Sequence, residues 1–277
     1  MKLQRHASAT AFLACAESWL LAAEPENNLI LGIAHQFVSD PARYGASPYF
    51  ASISDGESVR GAAFRTPPYH LGLTELPLDA VPLLIEDISE VYTELPGLVG
   101  PPECAREFAE HWVARHGGAW SVRARLCVHA LRRVEQPPSP PSGLLRPAGG
   151  GDVEIANTWA AEFVRETGIA NSPREFGALL IDSGRLYLWD DNGPKCMLAS
   201  TRETPHGACV NAVYTPPRYR GLGYASSAVA RLSQQFLDAG YEFCCLYTDQ
   251  ANPVSNAIYR RVGYVPVRDC IEIALSD

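Results

Sequence analysis

The segment Val213–Ala225, VYTPPRYRGLGYA, decides how the rest of the chain is read. An apolar strand over residues 208–214 runs into Thr215–Pro216–Pro217, and an amphipathic pattern begins near Leu222. Its apolar stripe, Leu222, Ala225, Val229, Leu232 and Phe236, steps by three and four, the spacing of one helix face. Along the start of such a helix, Leu222, Gly223, Tyr224, Ala225 and Ser226, the first four N–H groups have no partners inside the helix, and its dipole adds partial positive charge there. Gly221 and Gly223 put no side chain in the way of an approaching anion. Arg218 and Arg220 add formal charge. Strand, glycine–arginine turn and helix start, in that order, predict a pyrophosphate cradle.

Two familiar phosphate loops do not fit. A dinucleotide-binding loop wants a third glycine where this chain has Ser226, and an acidic residue about 20 positions on after a second strand. A Walker loop wants Gly-Lys-Ser/Thr, which is absent. Working outward, residues 243–248 read as a short buried strand. Asn252 is a helix N-cap with Pro253 at the first helical position. That helix carries Ile258, Tyr259 and Val262 and stops at Gly263. Upstream, residues 152–166 form a helical pattern with Ile155, Trp159 and Phe163 on one stripe. Ser172 and Pro173 open a second helix through Ile181, which Gly184 ends. Strands are expected at 185–189, 195–202 and 208–214, with Asp191–Asn192–Gly193 as a hairpin turn. A last strand pair covers 264–275, giving the order α-α-β-β-β-α-β-α-β.

Arg218, Gly221 and Gly223 fill the defined positions of [Q/R]-x-x-G-x-[G/A], and this segment resembles motif A of the GNAT superfamily of acyl-CoA-dependent N-acetyltransferases. The strand Leu246–Tyr247–Thr248–Asp249, the helix start Asn252–Pro253–Val254–Ser255 and Tyr259 resemble the strand-helix unit that follows it. The resemblance spans residues 151–277. It implies an α/β (α+β) fold with a mixed, mostly antiparallel central sheet flanked by helices. It implies acetyl-CoA as co-substrate and no metal. The backbone around Val213, Tyr214 and Thr215 would pair with the pantetheine amides. The turn and helix start, Arg218 to Ser226, would hold the pyrophosphate. Asn252, with Ser255 beside it, would contact the pantetheine arm, and Tyr259 would lie near the thioester sulfur as the acid for the leaving thiolate.

The segment QPPSPPSGLLRPAGGG, residues 136–151, is too rich in proline and glycine for helix or central strand and reads as a linker. It separates residues 1–135 from the motif-bearing part. The first part shows a hairpin at 49–53 and 59–65 around Asp55–Gly56, helices at 81–92 and 102–115, and a strand at 120–132. An N-terminal helix carries Leu13, Ala16 and Leu20 at helical spacing, interrupted by Glu17, which argues against a signal peptide. This β-β-α-α-β order is a fainter echo of the second half, and it has no glycine-rich phosphate loop. Two tandem GNAT-like domains are therefore expected, the first degenerate.

A net charge of −8 argues against a general nucleic-acid binder. No run approaches the ~20 apolar residues of a membrane span. The eight cysteines are scattered without C-x-x-C spacing, as expected of small buried residues in a reducing cytoplasm. His111 and His116 share no helix face, and no metal site is expected from them.

An amine of ordinary basicity must lose a proton before it attacks a thioester, and the family resemblance implies direct attack. The strand before the cradle, Ala208–Cys209–Val210–Asn211–Ala212–Val213, holds no acid where many GNAT enzymes place one. Asn211 with a water, Glu203 at the end of the preceding strand, or proton loss through ordered water are the options. The acceptor is expected to be a small molecule or peptide amine. A catalytically inactive acyl-CoA sensor and transfer of another acyl group are the alternatives. Nothing in the sequence fixes the oligomeric state.

Overall fold

The computed structural model describes residues 1–41, 48–168 and 175–276. The chain forms two compact units: residues 1–128, 249–251 and 267–277 make the first, and 129–248 with 252–266 make the second.

The first unit begins with β1 (Lys2–Arg5), α1 (Ala9–Leu21) and α2 (Asn28–Ser39). Ser8 caps α1 by accepting the Ala11 N–H at 3.1 Å. Phe12, Leu13, Ala16 and Leu20 recur every three or four residues, so one face of α1 is buried. Strands β2 (Tyr49–Asp55), β3 (Ser58–Arg65) and β4 (Leu71–Leu73) follow, then α3 (Val81–Ser89), β5 (Gly97–Gly100), α4 (Pro102–His116) and β6 (Ala119–Leu131). The strand order is β1-β2-β3-β4-β5 and then β12 (Val265–Ser276), the last strand of the chain. Only the β4–β5 pair of this series is parallel. One core, with Ile53, Leu71, Leu84, Ile88, Leu98 and Phe108, lies under α3 and α4. A second, with Phe12, Leu20, Ile30, Leu31 and Phe50, lies under α1 and α2.

The second unit contains β7 (Leu144–Pro147), α5 (Val153–Thr167), α6 (Phe176–Asp182), β8 (Leu186–Asp190), β9 (Pro194–Glu203), β10 (Gly207–Tyr214), α7 (Tyr224–Asp238), β11 (Phe243–Asp249) and α8 (Pro253–Val262). Its strand order is β6-β11-β10-β9-β8-β7, with β6 entering through residues 129–131. The β10–β11 pair is parallel, and β10–β9, β9–β8 and β8–β7 are antiparallel. Val229, Leu232, Cys244, Leu246, Tyr259 and Tyr264 form the core beneath α7 and α8. Trp159, Leu180, Leu188, Met197 and Tyr214 form the one beneath α5 and α6. Each fully buried side chain of this size contributes roughly 1.5–3 kcal/mol.

Several expectations need amendment. The Pro/Gly-rich segment contains a strand, β7, which pairs antiparallel with β8. Its position at the end of the strand order tolerates prolines that a central strand would reject. The expected terminal strand pair is one continuous strand, β12. Helix α7 starts at Tyr224, two residues later than expected, and Leu222 is 57% exposed instead of joining the apolar stripe. The helix start expected at Ser172 and Pro173 lies outside the described residues. In the first half, β1, α2, β4 and β5 are additional elements. With them, both halves of the sequence run β-α-α-β-β-β-α-β-α-β, 3-10 turns aside, and β12 is counted with the unit that the first half builds.

Candidate active site

The site grows from β10. At its start Gly207 faces Phe243, whose ring occupies the space a Cβ would need. Gly207, Ala208 and Cys209 pair with Phe243, Cys244 and Cys245, and there the β10–β11 pairing stops. The later residues of the two strands are no longer paired with each other. On its other edge β10 carries a bulge: Asn211 pairs with Ala199 and Tyr214 with Met197, so Ala212 and Val213 oppose a single residue. Ala212 takes φ +49°, a left-handed conformation that costs an alanine about 1 kcal/mol. Its N–H is held by the Asn211 side-chain oxygen at 2.7 Å. The bulge and the parted strand expose backbone around Val213 that a regular ladder would consume.

The turn after β10 is tied down by its own residues. Arg220 Nε donates to the Thr215 carbonyl at 2.8 Å, and its Nη2 reaches both Glu166 oxygens at 2.8 Å. Arg218 lies over the Tyr219 ring at 4.8 Å. Gly221 and Gly223 have φ of +78° and +85°, which favours glycine at both. The first backbone bond at this helix start runs from Ser227 N–H to Gly223 O at 3.1 Å. The N–H groups of Tyr224, Ala225 and Ser226 therefore have no helical partner, and Gly223 has no side chain to cap them. This is the concentration of donors and dipole that an anion of pyrophosphate type fits. A Cβ on Gly221 would meet nothing within 4 Å.

The side chains of the helix start do other work. The Tyr224 hydroxyl donates to Asp191 at 2.8 Å, Ser142 donates to the same carboxylate oxygen at 2.8 Å, and Trp189 Nε1 donates to the Ser142 carbonyl at 2.9 Å. These bonds fasten the segment before β7, the β8–β9 turn and the start of α7 together. Ser226 Oγ donates to Gly223 O at 3.0 Å. Tyr214 donates to Glu162 at 2.8 Å, and burial with this carboxylate pushes its hydroxyl up to about 12. The hydroxyls of Thr215, Ser227 and Thr248 are buried with no partner at hydrogen-bond geometry.

Asn252 caps α8, accepting the Ser255 N–H at 3.1 Å, and Gly263 ends the helix at φ +105°. Tyr259 is buried between α8 and the sheet, 5.9 Å from the Tyr264 ring. Burial, and then the neighbouring Cys196 and Cys209 thiols, push its phenol well above the ordinary tyrosine range. Glu203 pairs with Ala208, one rung before Cys209, and is exposed. Sequence reading passed over Glu162 and Glu166, whose one-turn spacing on α5 puts both beside the cradle. It also passed over Arg202 and Cys209, which no motif marks. His111 bonds back to its own helix at Glu107 O, while His116 stacks on Trp112 and meets Ser89. No group of three or more metal-binding side chains is found among the described residues. No helix among them is long and apolar enough to cross a membrane.

Residues 150–264 match the model of the Acetyltransferase (GNAT) family. No curated protein matches the sequence. The chain is similar over its whole length to a Drosophila malonogaster protein, with a TM-score of 0.73, 12% identity and 99% and 98% of the two chains covered. A GNAT-family acetyltransferase from Colwellia psychrerythraea gives a TM-score of 0.57 at 12% identity, with both chains fully covered. A tandem GNAT protein from the clavulanic acid biosynthesis pathway gives 0.52 at 14%, again with both fully covered. At these identities the likeness is one of fold. Residues 150–264 thus match the GNAT acetyltransferase family, and over its whole length the chain is similar in fold to a tandem GNAT protein.

Proposed function

We propose that the protein transfers an acetyl group from acetyl-CoA to a primary amine of a small molecule or peptide by direct attack. The observation that carries this reading is the uncapped start of α7, set directly after a bulged strand that has parted from its parallel neighbour. In this reading the N–H groups from Gly221 to Ser226 and the Arg218 charge hold the pyrophosphate. Backbone at Val213, Tyr214 and Thr215 pairs with the pantetheine amides. Asn252 offers its side-chain amide N–H to the same arm while its oxygen caps α8, and Ser255 completes that turn.

Acetyl-CoA supplies the activated acyl group; the rest falls to side chains. Tyr259, kept neutral by its burial, is the proton donor for the departing thiolate. The bulged backbone of β10 positions the acyl carbonyl. Calorimetric titration of the Gly221→Glu variant tests the assignment. Position 221 is open, so the side chain fits. Its charge and the left-handed strain should abolish acetyl-CoA binding, whereas Gly221→Ala should keep the fold and bind more weakly. Unchanged binding by Gly221→Glu would remove the cradle from the site.

A further inference from the structure

On this acetyltransferase reading the acceptor's proton still needs a destination, and β10 has no carboxylate to give it one. The strand offers Cys209. It occupies the last rung of β10–β11 pairing, opposite Cys245, where the two strands part. Arg202 Nη2 donates to its sulfur at 3.2 Å, and the Cys245 and Thr201 side chains interact with it from the facing rung and from the bulge of β9. As a thiol, Cys209 would point its own proton at the Val210 carbonyl, 3.8 Å away. Asn211 Nδ2 donates to Thr201 Oγ1 at 3.3 Å, so that oxygen accepts from Asn211 while its own proton stays available. Arg202 Nε is buried and has no hydrogen-bond partner. Burial opposes the Arg202 charge, and the groups that support it are Cys209, Tyr247 and Cys245, none of them a carboxylate.

Hydrogen bonding from Cys245 and the nearby Arg202 hold the Cys209 thiol well below its ordinary value against the opposing effect of burial, and Cys245 is correspondingly pushed up. From β11, Cys244 also feels the Cys209 charge, as does Tyr259 from α8. Cys244 belongs to the core under α7 and α8 with Tyr259, whereas Cys245 clusters with Cys209 and Phe243. Adjacent residues of one strand face opposite ways, so Tyr259 and Cys209 lie on opposite faces at the same parting of strands.

We infer that Cys209, held as a thiolate by Arg202, Thr201 and Cys245, is the general base of the acyl transfer. The amine enters as the free base, its ammonium proton left to solvent; as its nitrogen bonds to the acyl carbon, an N–H proton passes to the Thr201 hydroxyl and the Thr201 proton passes to Cys209 sulfur. The carbon–sulfur bond to CoA breaks, and the CoA sulfur takes the Tyr259 proton. The thiol of Cys209 then loses its proton to solvent and Tyr259 regains one, so no redox partner is needed.

Two measurements on the full-length protein test this. The ultraviolet thiolate absorbance of wild type minus Cys209→Ser should show a thiolate at pH 7 that titrates below the ~8.5 of a free thiol. A Cys209 that is neutral at pH 7 overturns the proposal whatever the activity. The pH profile of kcat/KM with acetyl-CoA and an amine panel should rise with the thiolate. Cys209→Ser should lose roughly 10²-fold and this limb with it, and Cys209→Asp should restore activity with the limb moved to lower pH. Folding of each variant is checked by its melting curve. Cys209→Ser with wild-type rate and an unchanged limb overturns the base while leaving the acetyltransferase reading intact. A wild-type protein that turns over no amine overturns that reading, and the base falls with it.

Discussion

Arg220 holds both oxygens of Glu166 through Nη2 at 2.8 Å while its Nε grips the Thr215 carbonyl. The residue is thus a strut between α5 and the turn before α7 as well as a positive charge beside the proposed pyrophosphate site. Both side chains of the ion pair are 41–47% exposed, so breaking it should cost only about 0.2–1 kcal/mol. Arg220→Ala and Glu166→Ala should therefore lower the melting temperature by similar small amounts. Acetyl-CoA affinity should separate them: Arg220→Ala weakens it, and Glu166→Ala, which frees the guanidinium for a phosphate, does not. Equal weakening in both, read by calorimetry, would make Arg220 a structural part alone.

Tyr259→Phe removes one oxygen from a buried ring and leaves its packing in the α7–α8 core. Because burial raises the phenol's pKa, the hydroxyl stays protonated through the neutral and mildly alkaline range. The variant should bind acetyl-CoA nearly as well as wild type and lose roughly 10²-fold in kcat. A kcat that holds from pH 6 to 9 would leave Tyr259 with packing as its role.

The parts of the site that were legible in the sequence are those where local geometry dictates residue type. Gly223 needs φ +85° before α7, Asn252 and Pro253 open α8, and Asn192–Gly193 turn the β8–β9 hairpin. Each is a backbone requirement written within a few residues. Leu222 continues the apolar stripe yet lies outside the helix, because a helical stripe can extend by chance into a turn, and only the left-handed Gly223 shows where the helix starts. Strand β7 was hidden because Leu144–Leu145–Arg146 sits among prolines, and only pairing with β8 makes it a strand. Arg202, Cys209 and Cys245 are far apart in sequence and meet only through strand register, which no local pattern records.

Arg146 on β7 joins Asp152 and Asp190, at 2.7 Å and 2.9 Å, and thereby fixes this end strand to β8 and to the start of α5. Hydrogen bonds from Arg146, joined by the Gly149 and Gly193 N–H groups, hold both carboxyls below their usual range. The unfolded chain therefore takes up protons first as pH falls. The contribution to stability is full above roughly pH 5 and is lost as pH drops below about 4. Solvent screening limits it to about 1 kcal/mol. Arg146→Met should flatten the acid side of a melting-temperature profile, and a profile parallel to wild type would mean the network adds nothing measurable.

The last prediction concerns where the second half can be cut. A fragment starting at Gly143 keeps every residue of the cradle, Asn252 and Tyr259. It discards β6, whose residues 129–131 belong to the unit that holds them. Leu131 is 1% exposed in the core with Val229, Leu246 and Tyr264, and Val134 packs on the same cluster. Glu135 N–H donates to the Val262 carbonyl at 2.8 Å at the end of α8. Removing this stretch leaves the outer edge of β11 without its neighbour and opens the core beneath Tyr259. Loss of a buried leucine alone costs roughly 2–5 kcal/mol, a large share of a domain's net stability. The fragment 143–277 should therefore unfold without a cooperative transition and fail to bind acetyl-CoA. Extending it back to Ala119 restores the strand and should restore a cooperative melt. Calorimetric melting of the two fragments decides the matter: a cooperative, acetyl-CoA-stabilised transition in the shorter one would show that β6 is dispensable to the site.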